Sequence, residues 1–270
     1  MSIPREEWLD QAKRLAVGTK ARIRHRFESR DNLMIFNNAD SWSCWCFACN
    51  DGGKVLKQHP ALLPEATPDK GSCLPLPDDC RALQEVSEAL QHRCYAYLLI
   101  RGIDPDRMLT GMDVLVSAKT QRLCLEQQDK AYTGRGIDGQ KIKAMTYKND
   151  GKPPVFAIHP QDSQDFSGKH VVLLEDYLST LKVRFAEPTV QAVSVQGSSI
   201  SAVLVAKLLK AARVSIMLDG DPAGIKGSQK IFRSIKGLIR DVRIIPTPTG
   251  KDPKNLNVQT IRSLLNGNDV

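Results

Sequence analysis

No stretch of the 270-residue chain approaches the roughly 18 consecutive apolar residues that a membrane-crossing helix needs, which argues against a helical span. The amino terminus, MSIPREEWLDQAKRL, is charged throughout and lacks the apolar core of a secretory signal. An even, regularly spaced set of cysteines is missing too. The seven present, Cys44, Cys46, Cys49, Cys73, Cys80, Cys94 and Cys124, are odd in number and unevenly clustered. A disulfide framework is therefore not expected, and the thiols read as reduced, some of them metal-bound, in a cytoplasmic protein.

With 41% hydrophobic and 25% charged residues, the chain has the composition of a soluble globular protein, long enough for one to three compact units. The 38 basic residues outnumber the 30 acidic ones, giving a net charge of +8. Such an excess favours a polyanionic partner.

Two stretches organise the rest. In Val171 to Thr180 (VVLLEDYLST) and in Ile216 to Gly224 (IMLDGDPAG), an apolar run of strand composition ends abruptly in carboxylates. Ligands of open α/β sheets gather at the carboxyl ends of parallel strands. Glu175 can therefore meet Asp219 and Asp221 although 44 positions (219 minus 175) separate them. Three carboxylates held together repel one another, and a hard divalent cation, Mg²⁺ or Mn²⁺, resolves the conflict and leaves coordination positions for phosphates. An acid at a strand end can instead cap the following helix, and for Glu175 alone both readings stand.

A Glu ending one strand, an Asp-x-Asp-x-x-Gly ending a later one and a β-α unit between them resemble the Toprim domain of bacterial and phage primases, topoisomerases and some nucleases. Four alternating strand-helix units from Lys169 to the carboxyl terminus match that domain's length. One departure is visible. Many phage primases follow the Glu with Gly and, four positions on, an Asp, where this chain has Asp176 and Ser179. The phrase Lys251-Asp252-Pro253 after the last strand resembles a further primase motif, whose Asp supports a second metal; Asp252 can alternatively cap the final helix. Gly197-Ser198-Ser199, after a strand and before a helix, offers backbone N–H groups to an anion.

Upstream, Cys46-x-x-Cys49 and a Gly52-Gly53 turn have the spacing of a zinc knuckle. The aromatic strand before them resembles the zinc ribbon of primases, in which a Cys-x-x-His pair lies about twenty residues upstream. His25 stands at that distance, but the family's first cysteine falls at Arg22. The resemblance then implies zinc held by His25, Cys46 and Cys49, with Cys44 as fourth ligand or, less simply, His59. Arg24, Arg26 and Trp45 would contact template by phosphate pairing and base stacking; any of the aromatics is by default a core residue.

Leu62 to Asp79, with four prolines, reads as a linker. Asp79 then looks like the N-cap of a long helix reaching about Arg101, where Gly102 stops it. The alternation from Gln121 and the glycines near Arg135 predict a strand pair ending at Tyr147. Primases of this kind carry a basic motif before the Toprim domain. Arg135 and Lys143 match it, with Lys141 a further candidate and Lys251 added from the later phrase, as cations for a triphosphate.

The expected organisation is a small β zinc-ribbon domain over residues 1–62, a linker over 63–80, an α+β subdomain over 81–167 and a Toprim-type, mainly parallel α/β sheet covered by helices over 168–270. The order of parts resembles a DnaG-type DNA primase. Ending about 18 residues after Asp252, the chain further resembles a stand-alone phage-type enzyme that makes RNA primers on single-stranded DNA from ribonucleoside triphosphates, in the cytoplasm of an infected bacterial host, with a separately encoded replicative helicase as partner. Two alternatives use the same parts: a Toprim nuclease, and a non-catalytic DNA-binding recombination or replication factor.

Overall fold

The computed structural model describes residues 3–26, 28–38, 40–57, 73–140, 142–149 and 152–267. The chain divides into two compact units, Met1–Asp69 and Lys70–Val270.

The first unit is a four-stranded antiparallel sheet with one short helix. Helix α1 (Leu9–Arg14) precedes strands β1 (Lys20–Ile23), β2 (Leu33–Asn37), β3 (Ser41–Cys46) and β4 (Asp51–Leu56), paired in sequence order. Side chains alternate across a strand, so Cys44 and Cys46, two apart on β3, share a face. That face is dry: Ile3, Trp8, Ala12, Leu33, Ile35, Cys44 and Cys46 make one small core.

The second unit holds two sheets. Strand β5 (Arg81–Ala82) opens a five-stranded antiparallel sheet, continued after helices α2 (Glu88–Ile100) and α3 (Pro105–Met108) by β6 (Val114–Ser117), β7 (Arg122–Glu126), β8 (Tyr132–Gly136) and β9 (Ala144–Tyr147). The helix expected from Asp79 begins nine residues later, at Glu88 after Ser87. Asp79 instead accepts hydrogen bonds from the Ser117 hydroxyl and the Lys119 N–H, each at 2.8 Å, which ties the preceding segment to β6. Residues 73–80 are packed as well: Leu74 bridges to Tyr147, and the Leu76 N–H donates to Asn149.

The remainder is βα in alternation: β10 (His170–Leu174), α4 (Tyr177–Ala186), β11 (Gln191–Ser194), α5 (Ala202–Leu208), β12 (Arg213–Ile216), α6 (Pro222–Ile235), β13 (Val242–Ile244) and α7 (Val258–Asn266). All pairings are parallel, in the order β11-β10-β12-β13. Burial on both faces explains the unbroken apolar run of β10. Val171 and Leu173 pack with Leu204, Leu208, Ile231 and Ile235 of α5 and α6, whereas Val172 and Leu174 pack with Val183, Ala186, Ile261 and Leu265 of α4 and α7. Helix α4 joins the two sheets. Its Tyr177, Leu178 and Leu181 belong to the core built around α2 and β7, and Val183 and Ala186 to the parallel sheet. The fold is thus mixed α/β, a parallel sheet covered by helices with antiparallel sheets before it.

Candidate functional site

Strands β10 and β12 are neighbours in register, Leu173 opposite Ile216, so the chain leaves both at the same edge. Glu175 emerges from one and Asp219 from the other. Gly220 follows Asp219 because a Cβ there would clash with the carbonyl of Pro248. That close approach is fixed by two backbone bonds, Gly220 N–H to the Lys251 carbonyl at 2.8 Å and Gly250 N–H to the Gly220 carbonyl at 3.0 Å. The turn carrying Asp252 is thereby clasped to the turn carrying Asp219.

A carboxylate oxygen from each of Asp176, Asp219 and Asp252 lies within 4.8 Å of the others. Asp176 caps α4, accepting from the Ser179 N–H at 3.0 Å through Oδ1, while Oδ2 accepts from the Lys254 ammonium at 2.8 Å. Lys254 also donates to Asp252 Oδ2. Glu175 Oε2 and Asp219 Oδ1 are buried without a partner among the described residues. Burial raises the pKa of Glu175, reinforced by the charges of Asp221, Asp176 and Asp252. Burial likewise drives Asp219 up to about 7, against the pull of Lys254 and with the push of Asp252, Asp176 and Glu175. For Asp176 burial acts upward too, but the Lys254 ammonium overrides it and holds the carboxyl below its usual range.

Asp221 stands apart from this chemistry in one respect. Its Oδ1 accepts the Gly224 N–H at 2.7 Å, so it caps α6 as well as adding negative charge beside Glu175. Asp252 precedes the short 3-10 turn Pro253–Asn255 but makes no side-chain cap there.

Cations approach from the antiparallel sheet. Arg135 on β8 acts electrostatically on Asp176, and its Nε donates to the Tyr97 hydroxyl at 3.2 Å. Arg101, at the end of α2, lies 3.7 Å over the Tyr97 ring and donates to the Tyr97 carbonyl at 3.0 Å. One tyrosine thus holds two guanidinium groups. The next residue, Gly102, has φ +72° and no room for a Cβ beside the Lys254 carbonyl, which sets the end of α2 against the Asp252–Lys254 turn. Lys143 is exposed just before β9, diagonal to Arg135, and Lys251 is exposed on the clasped turn; among the described residues neither is brought onto the carboxylates. Lys141 lies outside the described residues. Gly197 to Ser199 do not open a helix directly: α5 starts at Ala202, capped by Ser201.

Sequence reasoning missed Lys254, Arg101 and Tyr97, and took Asp176 only as a departure. The signals were present. Lys254 completes the Asp252-Pro253 phrase, and Tyr97 and Arg101 are four apart on one helix face.

In the first unit His25, Cys46 and Cys49 converge. His25 Nδ1 is 3.3 Å from Cys46 Sγ and 3.7 Å from Cys49 Sγ. Its Nε2 is 2.9 Å from the Glu7 carboxylate, an acceptor only, so Nε2 donates there and Nδ1 is the nitrogen turned towards the sulfurs. Cys44 is not in this cluster. It faces the core beside Trp8 and Ile35, and burial pushes its thiol up to about 11. Glu28 lies beside the cluster: its Oε1 is 3.6 Å from Cys46 Sγ and its Oε2 is buried and unpartnered among the described residues. His59 falls outside the described residues. Arg26 is engaged with Glu7 at 3.1 Å, and Arg24 lies 4.0 Å from Asp31. Trp45 is 40% exposed, and Phe47, also exposed, lies under Arg22.

Residues 174–256 match the Toprim-like family. No curated protein is significantly similar in sequence. Among solved structures, a DnaG catalytic core matches 69% of this chain and 76% of its own at 14% identity, TM-score 0.54. A DnaG primase catalytic domain bound to single-stranded DNA matches over 69% and 74% at 12% identity, TM-score 0.50. The RNA polymerase domain of Mycobacterium tuberculosis primase DnaG matches over 68% and 79% at 14% identity, TM-score 0.50. The chain therefore contains a Toprim-like domain and shares the fold of DnaG primase catalytic cores.

Proposed function

We propose that this protein is a DNA primase, a nucleotidyltransferase that makes short RNA primers on single-stranded DNA from ribonucleoside triphosphates during DNA replication. The observation that carries this is the juxtaposition of two kinds of charge. Buried, unpartnered oxygens of Glu175 and Asp219 sit at the parallel sheet's edge, and Arg135 on the other sheet acts electrostatically on Asp176 of the same cluster. Leaving two buried carboxylate oxygens unsatisfied costs several kcal/mol in order-of-magnitude terms, which an oxygen-seeking Mg²⁺ or Mn²⁺ would offset.

Glu175 and Asp219, with Asp221 and Asp252 nearby, are the residues that would hold that ion. When bound, it would lower the pKa of the primer 3′-hydroxyl and neutralise charge on the phosphorus. The chain's own groups do the rest. Arg135, steadied by Tyr97, meets the negative charge of the nucleotide's phosphates without reorganising, and a guanidinium fork suits phosphate oxygens. Lys143 and Lys251, both exposed, are further candidate cations for the phosphates, as is Lys141.

The first unit would read template. Its two sulfurs and one imidazole suit zinc, with the Glu28 carboxylate beside Cys46 as the candidate fourth donor, and His25 is oriented by Glu7 as a metal-bound histidine is by its carboxylate. Trp45 and the exposed arginine Arg24 supply stacking and phosphate contact, with Arg26 secured by Glu7. A separately encoded helicase is the expected partner, and a phage-infected bacterial cytoplasm the expected setting.

Incubating the protein with heteropolymeric single-stranded DNA, Mg²⁺ and four ribonucleotides, one α-labelled, tests the reading. Short labelled products that depend on template are expected. Degradation of DNA without nucleotides, and no synthesis, would replace primase by nuclease.

A further inference from the structure

The carboxylates at this edge of the parallel sheet do not share one environment. Glu175 and Asp219 each bury an oxygen without a partner, whereas Asp176 and Asp252 are both spoken for by one ammonium, that of Lys254. We propose that Lys254 holds the place of a second cation in this cluster, so that the site takes a single divalent ion.

Three features make Lys254 part of the site rather than a surface lysine folded inward. Its side chain is only 9% exposed. Its backbone is pinned, because it lies in the 3-10 turn Pro253–Asn255 and its carbonyl abuts Gly102, where any larger residue would collide. Its two acceptors are themselves fixed. Asp176 is committed through its other oxygen to the cap of α4, and the Asp252 turn is clasped to Gly220. Long, flexible side chains lose considerable entropy when ordered, and here a closely packed pocket holds the ordered form.

Charge arithmetic gives the consequence. Glu175, Asp176, Asp219 and Asp252 contribute four negative charges, and Lys254 returns one. One divalent ion leaves these five groups with a net charge of −1, before the charge of Asp221 beside Glu175 is added. A second would have to displace the ammonium or sit against it at close range, where like charges repel strongly in a partly buried site. Two-metal sites use their ions to stabilise the attacking and leaving oxygens together. In this chain the covalently attached ammonium supplies positive charge at one of those places, and it does so without depending on ion concentration.

The inference rests on the reading of the carboxylate cluster as a divalent-ion site, and the test separates the two. Zinc-loaded full-length protein is titrated with Mn²⁺, counting bound ions by the electron paramagnetic resonance of the free ion, for the wild type, Asp219→Asn and Lys254→Met, with circular dichroism as the check on folding. One Mn²⁺ in the wild type, lost in Asp219→Asn, and two in Lys254→Met are expected. Two ions in the wild type overturn the assignment of Lys254 while leaving the divalent-ion reading intact, and this count needs no variant. One ion in folded Lys254→Met overturns the assignment too. No bound Mn²⁺ in the wild type overturns both. If Lys254→Met does not fold, Lys254→Gln is counted instead under the same criteria.

Discussion

The two polar clusters of this protein are built from opposite materials. In the first unit, His25, Cys46 and Cys49 come from a strand exit and one tight turn, within 25 positions (49 minus 25 plus 1), and their donors are soft sulfur and nitrogen. In the second, Glu175, Asp176, Asp219 and Asp252 come from three separate crossings of a parallel sheet and its last loop, spread over 78 positions (252 minus 175 plus 1), and every donor is a hard oxygen. The first surrounds its place with neutral or neutralisable groups, with the Glu28 carboxylate beside Cys46 and the Glu7 carboxylate behind His25. The second has an excess of negative charge and carries its own ammonium. The contrast teaches that an antiparallel hairpin assembles a thiolate site locally, whereas a parallel sheet gathers carboxylates from afar and must manage their repulsion.

The sharpest way to break this comparison is to remove one oxygen donor. Asp219→Ala should lower template-dependent RNA synthesis by at least ~1,000-fold while single-stranded DNA binding, measured by fluorescence anisotropy, changes little, because catalytic charge stabilisation is lost and phosphate contacts remain. Retained synthesis would sink the role given to Asp219. Next in size, Cys46→Ser should abolish zinc binding, read as zinc per chain by mass spectrometry, since a hydroxyl is a poor zinc ligand. Glu28→Gln should weaken zinc by about 10–100-fold in a chelator competition, while Cys44→Ser leaves the zinc content unchanged. The reverse ranking would return the fourth place to Cys44.

Tyr97→Phe sharpens the picture of the oxygen site. Losing the hydroxyl that holds Arg135 should raise the KM for ribonucleotides about 3–10-fold with a smaller effect on kcat, as expected of a positioning residue worth one hydrogen bond. An unchanged KM would remove Tyr97 from the site. The smallest effect concerns pH. Burial and neighbouring acids raise the Asp219 carboxyl to about 7, above its value in an unfolded chain. Such a group favours the fold while protonated and weakens it as pH rises from about 4 through about 7. Without divalent ions, Asp219→Asn should therefore be more stable than the wild type at pH 8, by about 1–2 kcal/mol after discounting for partial exposure, with the gain shrinking towards pH 5 in urea unfolding.

The parallel sheet was legible because a strand buried on both faces leaves a mark no turn can imitate: four apolar residues in a row before Glu175 and three before Asp219. The cysteine turn was legible for its spacing. Cys44 misled because alternation on β3 puts it on the same face as Cys46, and only the packing of Trp8 and Ile35 against it makes that position core. Glu28 carried no signal, since a glutamate three residues after a histidine in a basic segment reads as a surface charge. Asp79 misled because an acid before an apolar segment suits a helix cap and a turn equally, and the choice fell to Ser117 on a strand 38 positions away.

By itself the sequence determined the alternation of strands and helices, the carboxylates that end β10 and follow β12, and the histidine and thiols of the first unit, because periodicity, strand-end acids and turn glycines are local consequences of backbone geometry. Tertiary structure alone decided which charges meet. Lys254 is one basic residue among 38 until the clasp between Gly220 and Lys251 and the close approach of Gly102 bring its ammonium onto Asp176, 78 positions away. Electrostatic interactions depend on distance and burial, and neither is written in a residue's neighbours along the chain.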